Sequence, residues 1–295
     1  MNLITLCTQL KVSATSKCLL PEYLLGAFRR KSISFANGLT DETTLVYWFQ
    51  SKSFTIDLRL KSQNTTPVLE RQGWVGNTLW DEQQQLLSWQ ITSNYQNHVQ
   101  WPEPAKLYAI GNAILEFSPS HAYVEDWRQQ AKRGLFLGLR LFKIDNLDLN
   151  TSYPADGGLI ICDHFIAFAR SRRPEIQQRL EMEKSLTEAF AQQDFTVQDI
   201  QDYEVSVSFG QQMIDLSTVT EQVGTQIELD DFTQLDDNTL VQQRLIQGQR
   251  CQLYFTIDTF DQDFCFSTET ATSNASLAWF DQEHNHLFHH AKISV

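Results

Sequence analysis

Two short stretches combine residue types that could do chemistry. Residues 54–60 read FTIDLRL, which places Asp57 and Arg59 two apart, on one face of a strand. A guanidinium can hold a carboxylate or phosphate head through paired hydrogen bonds, and a neighbouring carboxylate can orient it. The second stretch runs from Asn112 to Arg128 and carries Glu116, Tyr123 and Glu125. A carboxyl buried beside a phenol can move a proton or hold a ligand hydroxyl. Each set also has a plain reading. Asp57 and Arg59 would lie outside, solvated or paired with other charges, as charged side chains are mostly exposed, and Glu116 and Tyr123 would only satisfy each other.

These residues have to be positioned by hairpins. Residues 43–50 (TTLVYWFQ) and 54–60 alternate in strand fashion around Ser51-Lys52-Ser53, which reads as a three-residue turn. Symmetry about Lys52 sets Tyr47 against Asp57 and Leu45 against Arg59, with Trp48, Phe54, Ile56 and Leu58 on an apolar opposite face. Gln50 closes the first strand as a further polar candidate. Residues 112–117 and 122–128 form a second hairpin through Ser118-Pro119-Ser120-His121. Symmetry about Pro119 and Ser120 sets Glu116 against Tyr123, with Glu125 and Trp127 on the face of Tyr123. Six of the seven tryptophans, Trp48, Trp74, Trp80, Trp89, Trp101 and Trp127, fall in the first half. Such residues plug barrel ends or line apolar pockets.

The whole chain is strand-rich, with short strands and short polar turns through most of its 295 residues. One helix is expected from Pro174 through EIQQRLEMEKSLTEAFAQQ, with Met182, Leu186, Ala189 and Phe190 on its apolar face. A shorter helix is expected over 66–72. The order strand, tight turn, strand, helix occurs twice, in 43–72 and again in 158–193. A Gly-x-Phe start precedes each, at Gly26-Ala27-Phe28 and Gly134-Leu135-Phe136. This points to an internal duplication with its boundary near Gln130 to Arg133, giving units 1–132 and 133–295.

Charge divides the same way. Residues 1–150 hold 15 basic and 13 acidic side chains, whereas residues 151–295 hold 8 and 23, within a net charge of -13. No basic patch marks a nucleic-acid partner, and no apolar run is long enough for a bilayer-spanning helix. Five cysteines, Cys7, Cys18, Cys162, Cys251 and Cys265, form no paired framework, and the N-terminus lacks a basic leader, which together read as a cytoplasmic protein. No dinucleotide, phosphate-loop, zinc-protease or serine-hydrolase motif is present, and no cofactor is implied. His284, His286, His289 and His290 could bind zinc or nickel only adventitiously, having no further ligands at coordinating spacing, so no metal site is assigned. His121 and His164 stand alone at expected turns, and Cys162 is not aimed at His164.

A set of landmarks resembles an uncharacterised bacterial family. They are Phe28-Arg29-Arg30, Gly38-Leu39-Thr40-Asp41, Trp48-Phe49-Gln50, Asp57-Leu58-Arg59, Gly73-Trp74-Val75-Gly76, Trp89 and Tyr123-Val124-Glu125-Asp126-Trp127-Arg128, with Asp163 to Arg170 in the second half. That family is similar to the calycin, or lipocalin-like, barrels, and Gly26-Ala27-Phe28 stands where lipocalins carry Gly-x-Trp. The resemblance implies a fold and no activity. The expected fold is therefore all-β: two consecutive lipocalin-like barrels with a helix packed on each.

The expected function is binding of a small, largely apolar molecule with a polar or acidic head, in the N-terminal barrel. Gln50, Asp57 and Arg59 would hold the head, and Trp48, Trp89 and Trp127 the body. One alternative is an isomerase or hydrolase using Glu116, Tyr123 and Glu125. The other is a structural or interaction protein whose barrels are filled by their own side chains.

Overall fold

A computed structural model describes residues 1–12, 20–62, 65–97 and 104–291. Cys18 and Trp101 lie outside the described residues. Nine strands form the first sheet: β1 (Gly26–Phe35), β2 (Thr40–Asp41), β3 (Leu45–Gln50), β4 (Phe54–Leu60), β5 (Gln72–Asp81), β6 (Leu86–Asn94), β7 (Ala105–Ile110), β8 (Ala113–Phe117) and β9 (Tyr123–Gln129). Apart from β2, a short flap on β1, they pair antiparallel in chain order, and β9 returns to pair with β1. Eight strands thus close into a barrel. Gly26 opens β1 at φ +131° beside the Gln129 side chain, a backbone and a space that a Cβ would not fit.

The second sheet holds β10 (Arg133–Asn146), β11 (Thr151–Cys162), β12 (Phe165–Arg170), β13 (Glu204–Ser208), β14 (Ile214–Ser217), β15 (Phe232–Asp236), β16 (Thr239–Ile246) and β17 (Gln249–Cys265). Strand β10 pairs with the next strand and with the last, β17, as β1 does in the barrel. The ladder nevertheless stays open between β14 and β15. Segment 225–231 and helix α1 (Leu3–Cys7) occupy that side, with Ile227, Leu229, Leu3, Leu6 and Cys7 in the core of the second sheet. Of the two barrels expected, one closes through strand pairing, and the second sheet does not close through strand pairing among the described residues.

The helical expectation changes as well. The run from Pro174 breaks into α2 (Pro174–Leu180), α3 (Leu186–Ala191) and α4 (Val197–Ile200). Ser185 caps α3 by accepting from the Glu188 amide, so a new helix starts where one was expected to continue. The buried face is Ile176, Leu180, Leu186 and Ala189, while Met182 is 84% exposed. Between β4 and β5 the described residues form a 3₁₀ turn, Val68–Glu70, after Pro67, in place of the short helix expected over 66–72. A last helix, α5 (Asn274–Leu287), carries the histidine-rich tail and buries none of its residues.

The barrel and the second sheet pack back to back. The outer faces of β3 and β4 (Tyr47, Phe49, Ile56, Leu58) share one core with Ile160, Ala167, Ala169, Val205 and Val207. Three glycines make the approach close enough. A Cβ at Gly73 would sit 2.8 Å from the Val205 side chain, one at Gly158 would sit 2.7 Å from the Phe54 ring, and one at Gly138 would strike Ser51. Polar clasps ring the contact. Asp258 of β17 holds the β3–β4 turn through the hydroxyls of Ser51 and Ser53, both at 2.5 Å. Arg172, 2% exposed, donates to the carbonyls of Asn94, Tyr95 and Ile200 and lies against the rings of Tyr95 and Tyr203. Burial lowers its pKa to about 10.

This packing generates a stability prediction. Gly158→Ala should cost about 1–3 kcal/mol in denaturant unfolding, the range for overpacking a core. An unchanged unfolding midpoint would show that the contact is looser than described.

Candidate ligand site inside the closed barrel

The β3–β4 hairpin turns through two residues, because the Ser51 amide donates to Phe54 across Lys52-Ser53. That shifts the register by one from the sequence expectation. Trp48 faces Asp57, Val46 faces Arg59 and Tyr47 faces Leu58. A slip of one residue exchanges the two faces of one strand relative to the other. Trp48 therefore shares a face with Asp57 and Arg59, and that face points into the barrel. The expected apolar set of Trp48 with Ile56 and Leu58 is corrected. So is the solvated reading of the charges: Asp57 is 1% exposed.

The β8–β9 hairpin is shifted by two. Ser118 and Tyr123 close a loop in which His121 adopts φ +62°. Glu116 then faces Glu125, and Tyr123 pairs with Phe35 of β1. The expected Glu116–Tyr123 pair is corrected to a pair of carboxyls. An even shift leaves the faces unchanged, so Glu116, Tyr123, Glu125 and Trp127 all still point inward.

Around one cavity inside the barrel stand Trp48, Asp57, Arg59, Trp74, Trp89, Glu116, Tyr123, Glu125 and Trp127. Eight of these nine are sequence candidates for ligand contact or catalysis; the ninth is Trp74. Its signal was its place directly across from Asp57 on β5. Gln50 is not in the wall. Its side chain accepts from the Trp48 indole and donates to Ser51, Phe54 and Thr78, so it is consumed in holding the hairpin. The other residue that sequence reasoning missed is Arg30 of β1, 8% exposed, which bonds Glu125 at 2.8 Å and Asp41 at 3.1 Å.

The cavity is small, about 20 Å³ as counted to the centre of a water molecule. That is room for roughly one or two waters. Its aromatic wall is interlocked. Trp48 stacks on Phe28 at 4.9 Å and meets Trp89 and Trp127 edge-on at 5.8 and 5.5 Å. Trp74 meets Trp89 at 6.3 Å.

The charges are paired within the wall. Arg59 donates to both oxygens of Asp57, at 2.8 and 3.3 Å. Burial works against the guanidinium charge, but the carboxyls of Asp57, Glu125 and Glu116 outweigh it and raise the Arg59 pKa. Glu116 differs in accepting from an indole, Trp127 Nε1 at 2.9 Å, and in having no guanidinium bonded to it. Burial first, and the facing Glu125 second, push its pKa well above the usual carboxyl range. The Trp127 bond and the charges of Arg59 and Arg30 oppose this without cancelling it. Glu116 is thus favoured as an uncharged acid, able to donate as well as accept. Two further donors stand out: the indole nitrogens of Trp74 and Trp89 are buried and meet no acceptor among the described residues.

A second, open pocket of about 270 Å³ lies at the rim, lined by Ser34, Phe35, Ala36, Phe117, Ser118, His121, Tyr123 and Val124. Tyr123 belongs to both walls. Elsewhere, the Cys162 thiol is fully buried and its pKa is pushed up, mainly by burial, while His164 bonds Asp163. Among the described residues no helix is long and apolar enough to cross a membrane. No protein-family model, curated protein or solved structure matches this chain.

The raised Glu116 pKa has a signed consequence. The folded chain keeps this proton to higher pH than the unfolded chain does. The contribution to stability is therefore full at acid pH and falls as pH rises from the ordinary carboxyl value to the folded one. Glu116→Gln keeps an acceptor for Trp127 and has no proton to lose. Its stability relative to the parent should improve as pH rises above the ordinary carboxyl value of about 4, by about 1.4 kcal/mol for each pH unit separating the two values. Thermal melts across that range test this, and a difference that does not grow with pH would refute it.

A second variant tests the ion pair. Arg59→Gln should cost about 3–5 kcal/mol, because Asp57 would remain buried without its counter-charge. A loss below about 1 kcal/mol in chemical denaturation would show that Asp57 is reached by water.

Proposed function

We propose that this chain is a binding protein for a small amphipathic molecule, held by the closed barrel with its polar head inward. The observation that carries the reading is the convergence of four tryptophans, Tyr123 and four ionisable side chains on one cavity inside the barrel. A purely structural barrel would be expected to fill its interior with apolar side chains, since buried charges cost stability even when paired. The cavity volume limits what enters to a head about the size of a water molecule or two. The apolar body then lies in the rim pocket, against Phe35 and Phe117, which are 41% and 40% exposed. The eight-stranded, sequentially paired barrel supports a calycin-like relationship, and the matching roles of β1 and β10 support an internal duplication.

An acidic head is disfavoured by the site as built. Arg59, the residue expected to hold it, is already engaged by Asp57 on both oxygens. The small cavity also supports a second reading, in which the barrel is simply filled and serves structure or interaction.

Tryptophan emission separates the two. Titration with octanamide, octanoate and octylammonium should give a saturating change with at least one of them. Phe35→Asp, at an exposed rim position, should weaken that binding roughly tenfold, about 1.4 kcal/mol, with little change in melting temperature. A linear, unsaturable response to all three leaves only the filled-barrel reading.

A further inference from the structure

Resting on the binding reading above, we propose that the cavity selects an uncharged carboxamide-type head. Its carbonyl oxygen would accept from the indole N–H groups of Trp74 and Trp89, and its N–H would donate to the Glu116 carboxyl. The first ground is the pair of buried indole nitrogens without an acceptor. Trp74 is 3% exposed, and both residues belong to the cavity wall. Leaving a buried N–H unpaired costs free energy that an incoming acceptor recovers. The second ground is Glu116, 3% exposed, which among the described residues is bonded by the Trp127 indole alone.

Charge selects against the alternatives. The wall holds the Asp57–Arg59 pair, and Glu125 is matched by Arg30 behind it. With Glu116 uncharged, the site is balanced, and a neutral head leaves it so. A carboxylate would face three carboxyl groups in a confined, poorly solvated space. An ammonium would find no use for the two indole donors and would require Glu116 to give up its proton. A carboxamide keeps an N–H for the Glu116 carboxyl after its oxygen has accepted from the two indoles, which a carboxylate head does not.

The test uses the full chain with tryptophan side chains labelled with ¹⁵N, and the three octyl compounds as probes. Octanamide should bind at least tenfold more tightly than octanoate or octylammonium. The Trp74 and Trp89 indole N–H resonances, assigned with Trp74→Phe and Trp89→Phe, should move to lower field on its addition. Each of those variants should weaken octanamide roughly fivefold, while the Phe35→Asp rim variant weakens all three probes alike. Tighter binding of octylammonium or octanoate, or equal binding of all three, overturns the head assignment and leaves the binding function standing. So does saturable octanamide binding that leaves both indole resonances in place, as it would if those nitrogens bonded only water. Failure of all three to bind overturns the binding function and this assignment with it.

Discussion

The close back-to-back contact of the barrel with the second sheet is the constraint on which the rest of the structure depends. Gly73, Gly138 and Gly158 let β3–β5 lie against β10–β13 with no side-chain layer at those points. Strands β3 and β4 are consequently buried on both faces, along nearly every residue. The outward face is spent on the shared core. The inward face carries Trp48, Asp57 and Arg59 and is covered by the other strands of the closed barrel. In that setting a charge cannot rely on water, so each one must find its counter-charge or its proton inside the wall. The Asp57–Arg59 and Glu125–Arg30 pairs meet that demand by ion pairing, and Glu116 meets it by holding its proton.

The electrostatics of the cavity therefore follow from packing several ångströms away. Glu116 and Glu125 are directly opposed on adjacent strands, an arrangement that destabilises a hairpin when both are charged. Arg30 is placed by β1 to answer one of the two. It can do so only because β9 returns to β1 and closes the barrel. Closure, the ion pair and the state of Glu116 thus form one linked set.

Much of this was legible in the sequence, and the reasons for the failures are specific. Strand alternation grouped Asp57 with Arg59, and Glu116 with Tyr123, Glu125 and Trp127, on single strand faces; it set Trp48 on the wrong face and did not say which face turns inward. Register was not legible, because it is set by the turn. The first loop uses two residues rather than three, and the second takes a left-handed step at His121 that nothing in its composition required. Gln50 reads as a polar ligand residue, but its hydrogen bonds are to carbonyls that only the folded hairpin brings near. Strands β15 and β16 leave little mark in the sequence, because Thr-Gln-Leu-Asp and Val-Gln-Gln-Arg carry little apolar alternation. The break after Leu180 was announced by Ser185, yet the helical spacing of neighbouring apolar residues masked it. The open side of the second sheet has no local signature, since what fills it comes from the far end of the chain.

That last feature bears on how the chain can fold. Helix α1 precedes the barrel in the chain, and it packs on residues of the second sheet; the Met1 amino group bonds the Phe232 carbonyl, 231 positions away. During synthesis Leu3 and Leu6 must wait, apolar and unmatched, while the whole barrel is produced. The barrel can close on its own strands, but the second sheet cannot complete its core until α1 and β15 to β17 are all present. Contacts of such long sequence separation are closed late and slowly. The order of events is thus built into the topology: barrel first, then the second sheet, with α1 among the last elements to dock.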